Sequence, residues 1–211
     1  MKSPHQGLAL PTLMVMLSVA SLATLLAMRN LWVNDQLLNA EADHLRSQLL
    51  AEAVLPTAVQ DITGLSATAH SLSETTPNLR HTMGSPEQTH AFFPVSMSEY
   101  DVLRQRLGSS VCLAGICAPV LPGTWTKASD WKAQTATAMT VSATDSPYAT
   151  STARYWIEVF PQETTHTFVY RITALATGVL PGSTTVLQVI WTRNTSTSTT
   201  GQWHSWQILH D

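Results

Sequence analysis

LALPTLMVMLSVASLATLLAM, residues Leu8–Met28, holds no charged side chain. Wound as an α-helix at about 1.5 Å per residue, this run spans roughly 30 Å, the thickness of a bilayer's hydrocarbon core. Ahead of it lies MKSPHQG, in which Lys2 and the amino terminus are the only positive groups; Arg29 follows it. Three fates suit such a segment: a secretory signal cut at its far end, a permanent anchor, or a leader cut at its near end. Ser21 and Ala23 are small enough for a far-end cut, but the apolar run continues through Leu25, Leu26 and Met28. Pro11 favours the near end. A proline inside a helix removes an amide hydrogen bond and strikes the carbonyl four residues earlier, costing ~3 kcal/mol. A cut after Gly7 makes Leu8 the first residue and Pro11 the fourth, among amides that lack intrahelical partners anyway. An uncut anchor whose helix begins near Pro11 satisfies the same constraint.

Downstream, Leu31–Val54 contains neither Pro nor Gly. Leu38, Ala42, Leu45, Leu49 and Ala53 recur every three or four residues, which predicts one apolar helical face, widened by Leu37 and Leu50. Asp35, Glu41, Asp43, Arg46 and Glu52 fill the polar side, and Pro56 is the expected stop. The membrane segment and its continuation over residues 29–55 thus read as one helix, the first half in lipid and the second against a globular core. A separate core helix after a break near Asn30 and Asn34 is the alternative.

The remaining chain belongs to an ordinary small domain. Of 211 residues, 44% are hydrophobic and only 12% charged, with a formal net charge of −3. That balance excludes a basic nucleic-acid binder and a charged disordered tail. Residues 56–95 are rich in Thr, Ser, His and Pro and read as loop with at most a short helix. Ser96 with Glu99 forms a capping-box pattern that opens a helix through Leu107, with Tyr100, Leu103 and Leu107 on one face and Gly108 as its stop. Period-two runs then predict three strands: 154–160 with Tyr155, Ile157 and Val159 on one side, 167–177 with Phe168, Tyr170, Ile172 and Ala174, and 184–192 with Leu187, Val189 and Trp191. Residues 153–193 therefore form an antiparallel meander, and residues 194–211 a tail whose Gln202–Leu209 part adds a last short strand. The fold class expected is α+β, a long N-terminal helix packed on a small antiparallel β-sheet.

A short leader ending in Gly7, an apolar helix closing with Met28-Arg29, and a continuation ending in AEAVL (Ala51–Leu55) resemble a type IV pilus minor pilin of the PilX type. The resemblance resumes at CLAGIC (Cys112–Cys117), YRITALATG (Tyr170–Gly178), TVLQVIW (Thr185–Trp191) and SWQIL (Ser205–Leu209). It implies a pilin-like fold with residues 1–7 as a prepilin leader, 8–28 as a transmembrane and filament-core helix, and 29–211 as a periplasmic domain. A prepilin peptidase would cut between Gly7 and Leu8, and the new amine of Leu8 would be methylated. The implied function is structural: joining other minor pilins and the major pilin to prime or cap a pilus, in contact with a large tip adhesin. The implied location is the inner membrane, single-pass, then the pilus at the cell surface. Most pilins carry glutamate five residues after the cut; Thr12 stands there instead. A carboxylate near mid-bilayer costs at least ~2.5 kcal/mol, whereas a threonine hydroxyl can bond within its own helix. Members lacking this glutamate fit the filament tip. A type II secretion pseudopilin of the K type is the alternative within the class, and an uncut membrane-anchored periplasmic binding domain the alternative outside it.

Cys112 and Cys117 flank Leu-Ala-Gly-Ile, with Gly115 suited to the turn. The spacing is wrong for a thioredoxin-like motif, and two cysteines make no zinc site, so a disulfide is expected outside the cytosol. Eight histidines are scattered; His81 and His90 bracket a loop without ligand spacing. Glu158 and Glu163 have no partner that the sequence identifies, and Trp125 and Trp131 suit either a contact surface or the core. No motif of nucleophile, phosphate or dinucleotide chemistry occurs, so the expectation is a non-enzyme without catalytic residues, cofactor or metal.

Overall fold

A computed structural model describes residues 9–64, 77–119, 125–142, 152–162, 168–194 and 198–211. Gly7, Leu8 and Glu163 lie outside them. The elements in chain order are α1 (Ala9–Thr63), a 3-10 turn (Pro77–His81), α2 (Met97–Leu107), β1 (Cys112–Leu113), β2 (Ile116–Cys117), α3 (Ala128–Ala133), a second 3-10 turn (Thr135–Thr137), β3 (Met139–Ser142), β4 (Thr152–Pro161), β5 (Phe168–Thr177), β6 (Thr184–Arg193) and β7 (Gly201–Leu209). The chain divides into two units, Met1–Ala42 and Asp43–Asp211. The described part of the first, from Ala9 on, is helix, and its described side chains are exposed except for half-buried Ala42. The second holds the sheet and both buried clusters.

The architecture is α+β. Among the described residues strands run in the order β1-β2-β4-β5-β6-β7, with β3 also paired to β4, making a seven-stranded sheet. β4 to β6 form the expected antiparallel meander, and β7 is the last strand expected of Gln202–Leu209. The sheet is larger than expected and not purely antiparallel, because β2 lies parallel to β4 through Ile116 and Ile157. On one face Tyr155, Ile157 and Val159, then Phe168, Tyr170, Ile172 and Ala174, then Leu187, Val189 and Trp191 are buried together, as the period-two pattern predicts. Ala51, Val54, Leu55, Ala58 and Ile62 of α1 complete this core with Tyr100, Leu103 and Leu107 of α2. Ser96 caps α2 by accepting from the Glu99 amide at 3.3 Å.

Two expectations about α1 are corrected. First, the helix does not end at Leu55; it passes through Pro56 to Thr63. The ring costs ~3 kcal/mol there. Beyond it, Ala58 and Ile62 are wholly buried, and a buried Ile alone returns ~1.5–3 kcal/mol. The turn after the proline also places Asp61 against Arg80 and Tyr155. Second, of the expected apolar face Leu38, Leu45, Leu49 and Ala53 are exposed and Ala42 is half-buried; Leu50, at its margin, packs against the core. Leu45 is 53% and Leu49 64% exposed, whereas Asp43, assigned to the polar side, is buried together with Ser47.

The second face of the sheet carries a smaller cluster: Trp156, Leu175, Val186 and Leu209 under Ala128 and Trp131 of α3, with Cys112 and Cys117. Beside it Glu158 is fully buried and bound at two points by Arg171, at 2.5 and 2.6 Å, which supplies the partner that the sequence left unidentified.

Candidate functional site

From Leu10 to Met28 every side chain of α1 is exposed and none is charged. The polar ones are satisfied locally. Ser18 donates to the Met14 carbonyl, Ser21 to that of Leu17 and Thr24 to that of Ser21, each at 2.8 Å. Such closure suits a solvent that offers no hydrogen bonds of its own. The helix is long and apolar enough to cross a membrane. Thr12 lies in its first turns, three residues after its start at Ala9.

Over residues 43–63 one side of the same helix is fastened to the globular unit by polar groups. Asp43 accepts from the amides of Val179 at 3.0 Å and Leu180 at 2.9 Å, so it caps the β5–β6 turn. These bonds, Leu180's first, hold its carboxyl below the usual carboxylate range. Gly178 is required beside it, since a Cβ there would lie 2.4 Å from the Asp43 carboxylate. Ser47 meets the Thr185 hydroxyl at 2.7 Å. At the far end Asp61 takes two bonds from Arg80, at 2.6 and 2.9 Å, and one from the Tyr155 hydroxyl at 3.0 Å. Burial, reinforced by the Asp61 charge, pushes the Tyr155 hydroxyl upward. His81 Nε2 meets the Asp61 carbonyl at 2.7 Å, and Arg193 donates to the Ile62 carbonyl. An imidazole, its pKa lowered chiefly by burial, and a guanidinium thus satisfy carbonyls that a helix end leaves open. Opposite this fastened side stand Leu45, Leu49 and Ala53, all exposed.

Cys112 and Cys117 form a disulfide across directly paired residues of β1 and β2, with Cα atoms 4.1 Å apart. Ala114 and Gly115, with φ of 49° and 79°, make the two-residue turn. A Cβ on Gly115 would press to 2.8 Å on Met139, so glycine is needed for this ribbon to dock. Trp131 is wholly buried against Trp156 and Trp125, which resolves its role as core. His90 Nε2 meets the Thr82 carbonyl at 3.1 Å. Among the described residues no group of three or more His, Cys, Asp or Glu side chains comes together as a metal site.

The structure therefore brings the predicted residues to separate places. Thr12 lies on the helix unit and the disulfide lies beneath the second face of the sheet. Asp43, Asp61 and Arg80, which fasten α1, were missed by sequence reasoning. The signal was present in Asp43, Ser47, Ala51, Val54 and Ala58, a run at helical spacing made of small and polar side chains. No family model, no curated protein and no solved structure matches this chain.

Proposed function

We propose that this chain is a structural assembly subunit of the minor-pilin kind, with a pilin-like fold, held in the inner membrane by α1 until it enters a filament. One observation carries the reading: the uncovered apolar side of α1. Residues 10–28 are apolar and exposed all round, and Leu38, Leu45 and Leu49 extend that character along the helix, two of them inside the globular unit. A leucine stripe on the outward side of a helix whose inward side is already packed asks for a second apolar partner. Lipid supplies one around residues 8–28, and neighbouring helices in a fibre supply one along the whole stripe. Small residues Ala20, Ser21, Ala23 and Thr24 permit close helix approach there.

In this reading a prepilin peptidase cuts after Gly7, Leu8 becomes the methylated terminus, and Thr12 in place of glutamate suits a position at the tip beside other minor pilins and a large adhesin. Intact mass of the chain recovered from membranes tests it. A mass beginning at Leu8 with one methyl group is expected; retention of Met1 makes it an uncut anchor and overturns the proposal. A deletion strain is expected to lose surface pili and twitching. Gold labelling spread evenly along the shaft would remove the tip assignment.

A further inference from the structure

β7 is the last strand of the sheet, and nothing among the described residues pairs with its outer side. All six residues from Gln202 to Gln207 are exposed. Edge strands are ordinarily protected by charge, by proline or by shortness. GQWHSWQIL has nine residues and neither Lys, Arg, Asp, Glu nor Pro. Its tryptophans, three positions apart, would stand on opposite faces of a regular strand. An irregularity in the pairing between Ile190 and Trp191 changes this: Trp203 pairs with Trp191 and Trp206 with Val189, and His204 is the extra residue. Directly paired residues share a face, so both indoles stand on the face that carries Trp191 and Val189, 47% and 53% exposed. Ile208, partly buried, lies in the same row opposite Leu187.

We infer that the outer edge of β7 is a docking site for one extended strand of a different polypeptide, with apolar side chains at alternate positions. The backbone groups of a neutral, open edge are matched along their length by an extended chain, and alternate apolar side chains of that chain cover the tryptophan row. A second copy of this chain fits poorly. α1 runs beside β6 in the same direction, Ser47 at Thr185 and Ile62 at Arg193. Antiparallel pairing of two β7 edges would therefore set residues 43–63 of the two α1 helices in opposite directions, which two chains anchored in one membrane do not share; parallel pairing would turn one strand over and set its Gln202, Ser205 and Gln207 beside the tryptophan row. That choice of partner rests on the anchor reading above; the open edge itself does not.

β6 shows what β7 accepts, because it already pairs along the inner edge. The probe is therefore a labelled peptide of the β6 sequence TTVLQVIWTR, added to the full-length chain in lipid nanodiscs with empty discs as blank. Saturable binding is expected. N-methylation of alternate peptide amides, which leaves the side chains in place, is expected to weaken it about tenfold or more, as loss of one or two hydrogen bonds does. Trp203→Ser with Trp206→Ser should weaken it by a similar factor. Absence of binding, or equal binding by the methylated peptide, overturns the proposal. So does efficient disulfide cross-linking of Ser205→Cys between two copies, which would give the edge to a second copy. Failure of the chain to enter nanodiscs strikes the anchor reading instead, and binding is then read on the detergent-free chain.

Discussion

The two sides of α1 between Asp43 and Thr63 invert the usual amphipathic helix. The inward side carries Asp43, Ser47 and Asp61 among alanines and a few large apolar residues; the outward side carries Leu45 and Leu49. Inward, the short residues Ser47, Ala51 and Ala58 are buried with Val54, Leu55 and Ile62, where a leucine at each short position would overfill the core. Polar side chains then fix its position by hydrogen bonds. Outward, Leu45 and Leu49 keep more than half of their surface exposed. The contrast teaches that apolar character does not by itself mark the packed side of this helix: Leu45 and Leu49 are exposed, while Val54, Leu55 and Ile62 share the buried side with Asp43, Ser47 and Asp61.

The largest expected effect breaks the inward side. Asp61→Ala leaves the Arg80 guanidinium, 14% exposed, with the Ala114 carbonyl and the face of the Phe93 ring but no opposite charge. Removing one member of a buried pair costs about 3 kcal/mol, to be read from urea unfolding of the full chain. A smaller effect concerns Asp43. Its folded pKa is depressed, so its contribution is complete above the unfolded value of about 3.9 and is lost as pH falls through the lower folded value. Asp43→Asn should remove that acid dependence, visible as a flatter plot of Tm against pH below about pH 4. The smallest effect sharpens the comparison. Leu45→Gln and Leu49→Gln should each change unfolding free energy by less than about 0.5 kcal/mol, yet reduce surface filaments. A large loss of stability in either would show that the outward side already has a partner within the chain.

Much of the sheet was legible because β4, β5 and β6 alternate with β-branched and aromatic residues, and one buried face leaves such strands a single register. Ser96 and Glu99 likewise marked the start of α2, and Gly115 marked the turn between the cysteines. The side of α1 that packs was not legible. Periodicity reports that apolar residues share a side, and leucines weigh more in it than alanines; it does not report what they face. Pro56 misled for a related reason, since propensity is local while the burial of Ile62 that outweighs it depends on a sheet about a hundred residues downstream. β1, β2 and β3 are too short to show a period. The outer edge of β7 was missed because a one-residue irregularity, invisible in the alternation, put both tryptophans on one face.

The bonds that fasten α1 have a mechanical consequence. Asp43 to the β5–β6 turn, Ser47 to Thr185, Asp61 to Arg80, and Ile62 to Arg193 are spread along about five turns of helix that runs parallel to β6. A pull along the helix axis therefore strains them side by side, in shear, and they must yield together. A peeling force at right angles would meet them one at a time. Such an attachment resists traction along the helix axis far better than it resists prying.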